Sequence, residues 1–162
     1  MILTGSGHRA HSLGTSYAPM QLKLVDFAET ILTEMQPDHV VSGMATGWDQ
    51  ALARASRRMG IPYDAVIPFV GQESRWHSSD RAAYKDLLAD AENIQIVAED
   101  PTDYRQALMG RNEVMVDQSD GVLGLWDGRK NGGTFQCLRY AHKRGAPVHQ
   151  LFQRWQTFSQ TP

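Results

Sequence analysis

The chain has little cysteine and no long apolar run. Among its 162 residues there is one cysteine, Cys137, which excludes an internal disulfide and is typical of a reducing compartment. No apolar stretch approaches the roughly 20 residues that a membrane-spanning helix needs. The start, Met-Ile-Leu-Thr-Gly, has no basic segment before an apolar run, so no signal peptide is predicted. These absences predict a cytoplasmic protein with no membrane partner.

Net charge is also nearly absent. The 16 lysines and arginines are balanced by 18 aspartates and glutamates, which gives a formal charge of −2. Such a chain has no overall positive field, and this argues against nucleic acid as a partner. The histidines are scattered without the spacing of metal ligands, so neither a metal site nor a cofactor is expected.

The length predicts one domain with a sizeable core. Short apolar runs alternate with helical patterns from Met1 to about Leu151. This alternation predicts a single α/β domain, Rossmann-like and doubly wound, with a mainly parallel sheet. We expect the domain to occupy residues 1–152, and residues 153–162 to form a polar, loosely held C-terminal tail.

The most informative stretch runs from Ser119 to Ala141. It predicts a buried strand (Val122 to Trp126), a polar glycine-rich loop and a helix that opens at Gly133-Thr134. The first N–H groups of such a helix lack partners and carry partial positive charge, so they favour an anion such as phosphate. Glycine there lets the backbone approach a ligand closely. A tight loop capped by Thr134 with nothing bound has the same signature.

Two more glycine-bearing loops follow predicted strands. They are Gly5-Ser6-Gly7-His8-Arg9 and the segment from Ser42 to Asp49, and Pro68-Phe69 ends the third strand. Because ligands bind at the carboxyl ends of parallel strands, these loops should converge on one crevice.

In these motifs, together with Arg111-Asn112, Ser119-Asp120 and Gly132-Gly133-Thr134, the chain resembles the SLOG superfamily, especially its YspA/YpsA-like branch. The resemblance implies a Rossmann-like fold. The superfamily includes the "lonely guy" phosphoribohydrolases, which cut the N-glycosidic bond of nucleoside 5′-monophosphates. It also includes nucleotide sensors and the DNA-processing protein A family.

The phosphoribohydrolase motifs are only partly present. Those enzymes carry a Met-x-x-Arg-Lys element before a Pro-Gly-Gly-x-Gly-Thr-x-x-Glu element. The segment Met109-Gly110-Arg111-Asn112 is similar to a shortened form of the first, and Gly132-Gly133-Thr134 to a shortened form of the second. Cys137 lies three residues after Thr134, at the position where the resemblance implies the catalytic glutamate.

Cleavage of an N-glycoside passes through a cationic sugar, so another carboxylate is needed. The candidates in the crevice loops are Asp127, Asp49 and Glu73, with Arg111 as a bidentate phosphate ligand. A dipole-stabilising role for Asp49 and a surface ion pair for Arg111 are the structural alternatives. The predicted ligand-binding residues are Gly5, Ser6, Gly7, His8, Arg9, Ser42, Gly43, Met44, Thr46, Gly47, Trp48, Phe69, Arg111, Gly132, Gly133 and Thr134, with Trp48 and Phe69 as candidates for base stacking.

Two functions fit these residues best. The first is a nucleoside 5′-monophosphate N-glycosidase that releases free base and (deoxy)ribose 5-phosphate. The second is a sensor that binds a nucleotide or an ADP-ribose-like molecule without cleaving it. In both, the partner is a nucleotide or nucleotide-derived small molecule, and superfamily relatives make a homodimer possible. Binding of single-stranded DNA is a third hypothesis, and the slightly negative net charge of the chain disfavours it.

Overall fold

The computed structural model describes the whole chain, Met1–Pro162. Strands and helices alternate strictly, as predicted. The strands are β1 (Ile2–Gly7), β2 (His39–Ser42), β3 (Tyr63–Ile67), β4 (Ile94–Ile96), β5 (Gly121–Leu125) and β6 (Val148–Gln150). The helices are α1 (Ala18–Met35), α2 (Trp48–Met59), α3 (Ser78–Ala89), α4 (Tyr104–Asp117), α5 (Gly132–Arg144) and α6 (Phe152–Gln160).

All six strands are parallel, in the order β4-β3-β2-β1-β5-β6. Strands β1 to β4 lie side by side in chain order, so β4 is at one edge of the sheet. The chain then returns through α4, and β5 pairs with the other side of β1. The strand order therefore reverses between β1 and β5. This reversal opens a crevice at the carboxyl ends of those two strands, the usual ligand position in open α/β sheets. The predicted Rossmann-like α/β fold is confirmed.

Helices cover both faces of the sheet because alternate strand residues point to opposite sides. In β2, Val40 joins the large apolar cluster formed with α1, α2 and α6, whereas Val41 packs with Met115 of α4. A third cluster joins β5 to α5 through Val122 and Leu138. No helix is both long enough and apolar enough to cross a bilayer.

The C-terminal segment differs from its prediction. Residues 153–162 are not a loose tail, because most of them belong to α6, which packs on α1. Trp155 is 3% exposed and its ring centroid lies 5.5 Å from that of Phe27. Arg154 also forms a bidentate ion pair with Glu34 at 2.7 and 2.9 Å. The segment is mostly polar, and only two or three apolar side chains pack against the domain. The amphipathic helix was therefore not recognised in the sequence.

Three details of the elements complete this description. Helix α1 buries Leu24, Val25, Ala28 and Leu32, whereas Leu22 is 50% exposed. Helix α4 continues through Gly110 without interruption. Strand β4 lies at the edge of the sheet, and its Ile94 and Ile96 are 50% and 41% exposed.

Candidate functional site

A cleft of about 280 Å³ lies at the carboxyl ends of β1 and β5, where the strand order reverses. Four chain segments meet there: the β1–α1 loop, the start of α2, the middle of α4 and the start of α5. The structure thus brings together loops that are far apart in sequence. The cleft is lined by Ser6, Gly7, His8, Arg9, His11, Ser12, Ala45, Asp49, Leu108, Arg111, Asn112, Gly133 and Thr134.

Arg111 is the most constrained charged side chain in this cleft. It projects from α4 and is 6% exposed. Its Nη1 donates to the Gly43 carbonyl at 2.5 Å, and its Nε donates to Asn112 Oδ1 at 2.9 Å. Its Nη2 has no protein acceptor, although Arg111 lines the cleft. A fixed guanidinium with one free edge is suited to an anionic ligand.

Asn112 extends this arrangement to the next helix. Its Nδ2 donates to the Gly133 carbonyl at 3.3 Å, so α4 is tied to the start of α5. That start has no side-chain cap from Asn131 and no acidic residue in its first turn. Its amide groups and their partial positive charge are therefore free to meet an anion. Gly132, with φ of 84°, adopts the left-handed conformation that favours glycine.

Gly43 is required where Arg111 docks. A Cβ at this position would lie 2.4 Å from Arg111 Nη1 and 2.8 Å from Asp49 Oδ2. No side chain fits between these two groups, so glycine allows the guanidinium to reach the backbone carbonyl. Gly43 was predicted to contact a ligand, and in the structure it makes room for the cleft-lining Arg111.

Asp49 lies beside Arg111 in the wall of the cleft and is 6% exposed. Burial raises the pKa of its carboxyl, while the Arg111 guanidinium and the Ala45 amide act in the opposite direction. Burial likewise lowers the pKa of Arg111, which the nearby Asp49 opposes. The two charges are thus held in a poorly solvated site, where each attracts a ligand of opposite charge more strongly than it would in water.

The raised pKa of Asp49 predicts a specific pH dependence of stability. A carboxyl whose native pKa lies above its unfolded value favours folding at low pH, and this contribution is lost as pH rises through the native pKa. We therefore expect the Tm of the Asp49→Asn variant to rise relative to that of the wild type as the pH increases above about 4, the ordinary pKa of an aspartate. Thermal melts from pH 4 upward measure the difference. A difference that stays constant, or moves toward the wild type, would contradict the burial argument.

Asp127 and His8 form a second polar pair, which ties the β1–α1 loop to the β5–α5 loop. His8 Nε2 lies 2.9 Å from Asp127 Oδ1 and 3.0 Å from the Asp127 amide nitrogen. Burial acts to raise the pKa of Asp127, but the Arg129 amide and the His8 and Arg129 side chains outweigh it and lower the pKa overall. Asp127 is therefore occupied by protein donors, and it is not among the residues that line the cleft.

Glu73 and Phe69 lie outside the cleft, beside the β3–α3 loop. Gln72, next to Glu73, donates to the Gly43 carbonyl at 3.4 Å and to the Tyr84 hydroxyl at 3.2 Å. Glu73 Oε2 is buried without a hydrogen-bond partner. The ring of Phe69 packs edge-on against Tyr104, with centroids 4.8 Å apart.

Several predicted ligand residues are instead part of the protein's interior. Trp48 is 0% exposed and its Nε1 donates to the Leu123 carbonyl at 2.9 Å, so it cannot stack on a base. Met44 is also fully buried. The Ser42 hydroxyl accepts from the Met44 amide and donates to the Asp49 carbonyl. These residues shape the turn that presents Asp49 rather than contact a ligand.

Gly47 and Thr46 belong to the same turn between β2 and α2, but they do not line the cleft. A Cβ at Gly47 would lie 2.5 Å from the His8 carbonyl oxygen and 2.7 Å from the Ala10 nitrogen. Both residues line a separate small hollow between the β1–α1 loop and α2. The close approach of two backbones, rather than a ligand, requires glycine here. Gly5 has a different reason, because a Cβ there would meet a methyl group of the Leu52 side chain in the core.

Cys137 occupies the position of the superfamily's catalytic glutamate, one turn into α5. It is buried, and burial raises the pKa of its thiol to about 11. The group is therefore a neutral thiol at physiological pH and cannot replace a carboxylate. Any acid–base chemistry in this cleft depends on Asp49 or on a histidine of the β1–α1 loop.

Five residues that line the cleft were not among the predicted site residues: His11, Ser12, Leu108, Ala45 and Asn112. The first two belong to the polar loop after Gly-x-Gly, which the sequence left without a role, and Leu108 lies one turn before Arg111. The loop directly follows the first strand, beside which the strand order reverses. That position could have indicated that the loop lines the crevice.

The fold and this cleft define a Rossmann-like α/β protein with a polar crevice at its strand-order reversal. A family model described as the YspA SLOG family matches residues 6–152. The chain therefore belongs to the YspA SLOG family, and the resemblance inferred from its motifs is confirmed.

Individual relatives agree with this placement. The chain is 30% identical over 154 residues to the SPbeta prophage-derived protein YoqJ of Bacillus subtilis, and the match covers 83% of this chain and 89% of YoqJ. It is 30% identical over 148 residues to UPF0398 protein ABC2016 of Shouchella clausii, covering 84% and 78% of the two chains. Against UPF0398 protein YpsA of Bacillus subtilis, 30% identity extends over 52% of this chain and 49% of YpsA.

Two solved structures share the fold. DNA processing protein A from Helicobacter pylori superposes with a TM-score of 0.64 at 17% identity, over 93% of this chain and 64% of that one. The Streptococcus pneumoniae protein gives a TM-score of 0.62 at 19% identity, over 91% and 49%. The chain thus spans about half to two thirds of these proteins.

One expectation about partners is corrected by this comparison. The near-neutral charge was taken as an argument against nucleic acid, yet the Helicobacter pylori protein of the same fold binds single-stranded DNA. Net charge is a sum over the whole surface and does not report the charge of one groove. The prediction that nucleic acid is disfavoured as a partner was therefore wrong.

Proposed function

We propose that this protein binds a nucleotide in the cleft and holds it by a phosphate group. The observation that carries the proposal is the buried Arg111, which lines the same cleft as the uncapped start of α5 and has no protein acceptor for its Nη2. A guanidinium and a helix N-terminus are both groups that proteins use to bind phosphate. Thr134 adds a hydroxyl donor at the same helix start.

The cleft size suits the phosphate and sugar of one nucleotide. Its volume of about 280 Å³ lies near the lower end of small-molecule sites. The base would then extend past the rim. At the start of the β5–α5 loop, Trp126 stacks on Phe135 of α5 with ring centroids 5.9 Å apart, and Trp126 remains partly exposed. This pair offers an aromatic face to a base, a role that the sequence had assigned to Trp48.

The finer proposal is cleavage of the N-glycosidic bond of a nucleoside 5′-monophosphate. It needs a carboxylate next to the sugar, and Asp49 is the only one of the three predicted carboxylates that lines the cleft. In this proposal the Asp49 carboxylate stabilises the cationic sugar, and the His8 or His11 imidazole assists the departing base. Binding without cleavage is the alternative.

Two measurements on one sample test binding and cleavage. Thermal shift over a panel of nucleoside 5′-monophosphates reports binding, and ligand at about a hundredfold its Kd adds roughly 2.7 kcal/mol. For a chain of this size that raises Tm by roughly 5–10 °C. Chromatography of the same mixtures then reports released base. Base released by the wild type but not by Asp49→Asn supports cleavage. A shift without base supports binding alone, and no shift with any nucleotide contradicts the whole proposal.

Single-stranded nucleic acid is a second candidate ligand for the same cleft. It is supported by the shared fold with DNA processing protein A and by three exposed basic residues, of which Arg9 lines the cleft and Arg129 and Lys130 belong to the β5–α5 loop. A strand that neutralises several of these charges binds with steep salt dependence. Fluorescence anisotropy of a labelled oligonucleotide at two salt concentrations distinguishes it from a mononucleotide.

A further inference from the structure

Three ligand-type side chains meet at the amino ends of β2, β3 and β4, at the opposite end of the sheet from the cleft. They are His39 at the first position of β2, Asp64 in β3 and Glu92 just before β4. Asp64 is in register with Val41, which lies two residues from His39, so the His39 and Asp64 side chains emerge on the same face. Glu92 is joined to β3 through its amide, which donates to the Tyr63 carbonyl.

The atoms that can ligate a metal ion are already close together. One ligand atom from each of the three residues lies within 4.8 Å of the others. His39 Nε2 is 3.2 Å from Asp64 Oδ2. The 4.0 Å distance of Glu92 Oε2 is to His39 Nδ1, the other ring nitrogen, so Glu92 joins an ion at Nε2 only by a change of its side-chain rotamer. Two ligands bound to one metal at about 2.0–2.2 Å are themselves roughly 3.0–3.5 Å apart, so the shorter separation fits a shared ion.

His39 Nε2 is unusual because the protein does not satisfy it. The atom is buried and has no hydrogen-bond partner, although Asp64 Oδ2 is only 3.2 Å away. The direction of the ring therefore does not suit a hydrogen bond to that oxygen. Buried polar atoms without partners are rare in folded proteins, and metal coordination is one way to satisfy such a nitrogen.

Asp64 is oriented in the way that metal-binding carboxylates are. Its Oδ1 accepts from the Asn93 amide at 3.1 Å and from Asn93 Nδ2 at 2.9 Å. These bonds fix the carboxylate and leave Oδ2 turned toward His39. Outer hydrogen bonds of this kind hold a ligand in the correct orientation. A hollow of about 320 Å³, lined in part by His39 and Asp64, adjoins the pair and leaves space for water ligands.

We propose that His39, Asp64 and Glu92 form a binding site for a divalent transition-metal ion such as Zn²⁺. One imidazole and two carboxylates are a donor set for borderline cations, whereas Mg²⁺ and Ca²⁺ prefer oxygen ligands alone. Glu92 is the mobile member, because its side chain is 59% exposed and free to close on the ion. No spacing in the sequence indicates this site, because its residues are far apart in the chain and meet only through strand pairing.

The test uses chelator-treated full-length protein titrated with Zn²⁺ and, separately, Co²⁺. We expect one equivalent of Zn²⁺ to bind by calorimetry and to raise Tm, and Co²⁺ to give visible absorption bands. His39→Ala should weaken Zn²⁺ binding by more than a hundredfold. Asp64→Asn keeps the Oδ1 contacts with Asn93 and should weaken binding by at least tenfold, as should Glu92→Gln at its exposed position.

The matched control is His142→Ala, which removes an exposed histidine of α5. It should bind Zn²⁺ as the wild type does, and melts of the metal-free variants confirm that each is folded. Unchanged Zn²⁺ affinity in both Glu92→Gln and Asp64→Asn would overturn the proposal, as would absence of binding at millimolar Zn²⁺. Nucleotide binding in the cleft is measured independently and does not depend on the result.

Discussion

The Arg111→Gln variant should lose nucleotide-dependent stabilisation. Arg111 supplies the only guanidinium among the buried residues of the cleft, and its Nη2 is free to donate to a phosphate. Hydrogen bonds to charged groups contribute about 1.5–3 kcal/mol each, so losing them lowers affinity roughly 10- to 150-fold. Titration of a nucleoside 5′-monophosphate, followed by thermal shift, measures this change.

Arg111→Lys separates charge from geometry. Lysine keeps the positive charge but loses the fork that reaches the Gly43 carbonyl, Asn112 and the ligand together. We expect an affinity between those of Arg111→Gln and the wild type. Both variants should fold, because the Gly43 carbonyl retains Gln72 as a donor.

The control for these variants is Arg139→Gln, an exposed arginine on the outer part of α5. It removes the same charge without touching the cleft, so its affinity for the nucleotide should equal that of the wild type. Wild-type affinity in both Arg111 variants would mean that another group holds the phosphate, and the proposed function would fail.

Trp48→Ala should cause the largest loss of stability among single substitutions at predicted site residues. The side chain is fully buried between β1, α1 and α2, within 5.8 Å of the Phe27 ring centroid, and donates to the Leu123 carbonyl. Truncating a buried aromatic residue costs about 3–5 kcal/mol, and the carbonyl also loses its donor. We expect Tm to fall by roughly 10 °C or more, measured by calorimetry.

Trp48→Phe distinguishes a core residue from a base-stacking one. It keeps most of the packing and loses one hydrogen bond, so it should fold and bind nucleotide with unchanged Kd. Trp126→Ala gives the opposite pattern, because Trp126 is partly exposed beside the cleft and its loss should weaken binding more than stability. Loss of nucleotide affinity in Trp48→Phe would contradict the structure's placement of this ring.

Sequence and structure agree most closely where a pattern is local. The alternation of apolar runs with helical periods predicted the order of strands and helices, and the strand predicted at Val122 to Trp126 is β5, which lies one residue earlier at Gly121–Leu125. Burial does not follow from a local pattern alone. Leu22 and Trp48 are both large and apolar, yet one is 50% exposed and the other fully buried, because neighbouring helices determine which side of a helix is covered.

The sequence by itself determined the α/β class, the family and the loops that gather at one end of the sheet. These depend on periodicity, glycine positions and short motifs, which are local properties of the chain. Only the tertiary structure decided what each residue does. In the folded protein Arg111 donates to the Gly43 carbonyl, Trp48 is buried, and His39 lies beside Asp64 of the neighbouring strand. Those outcomes depend on strand order and helix packing between distant segments, which no local pattern encodes.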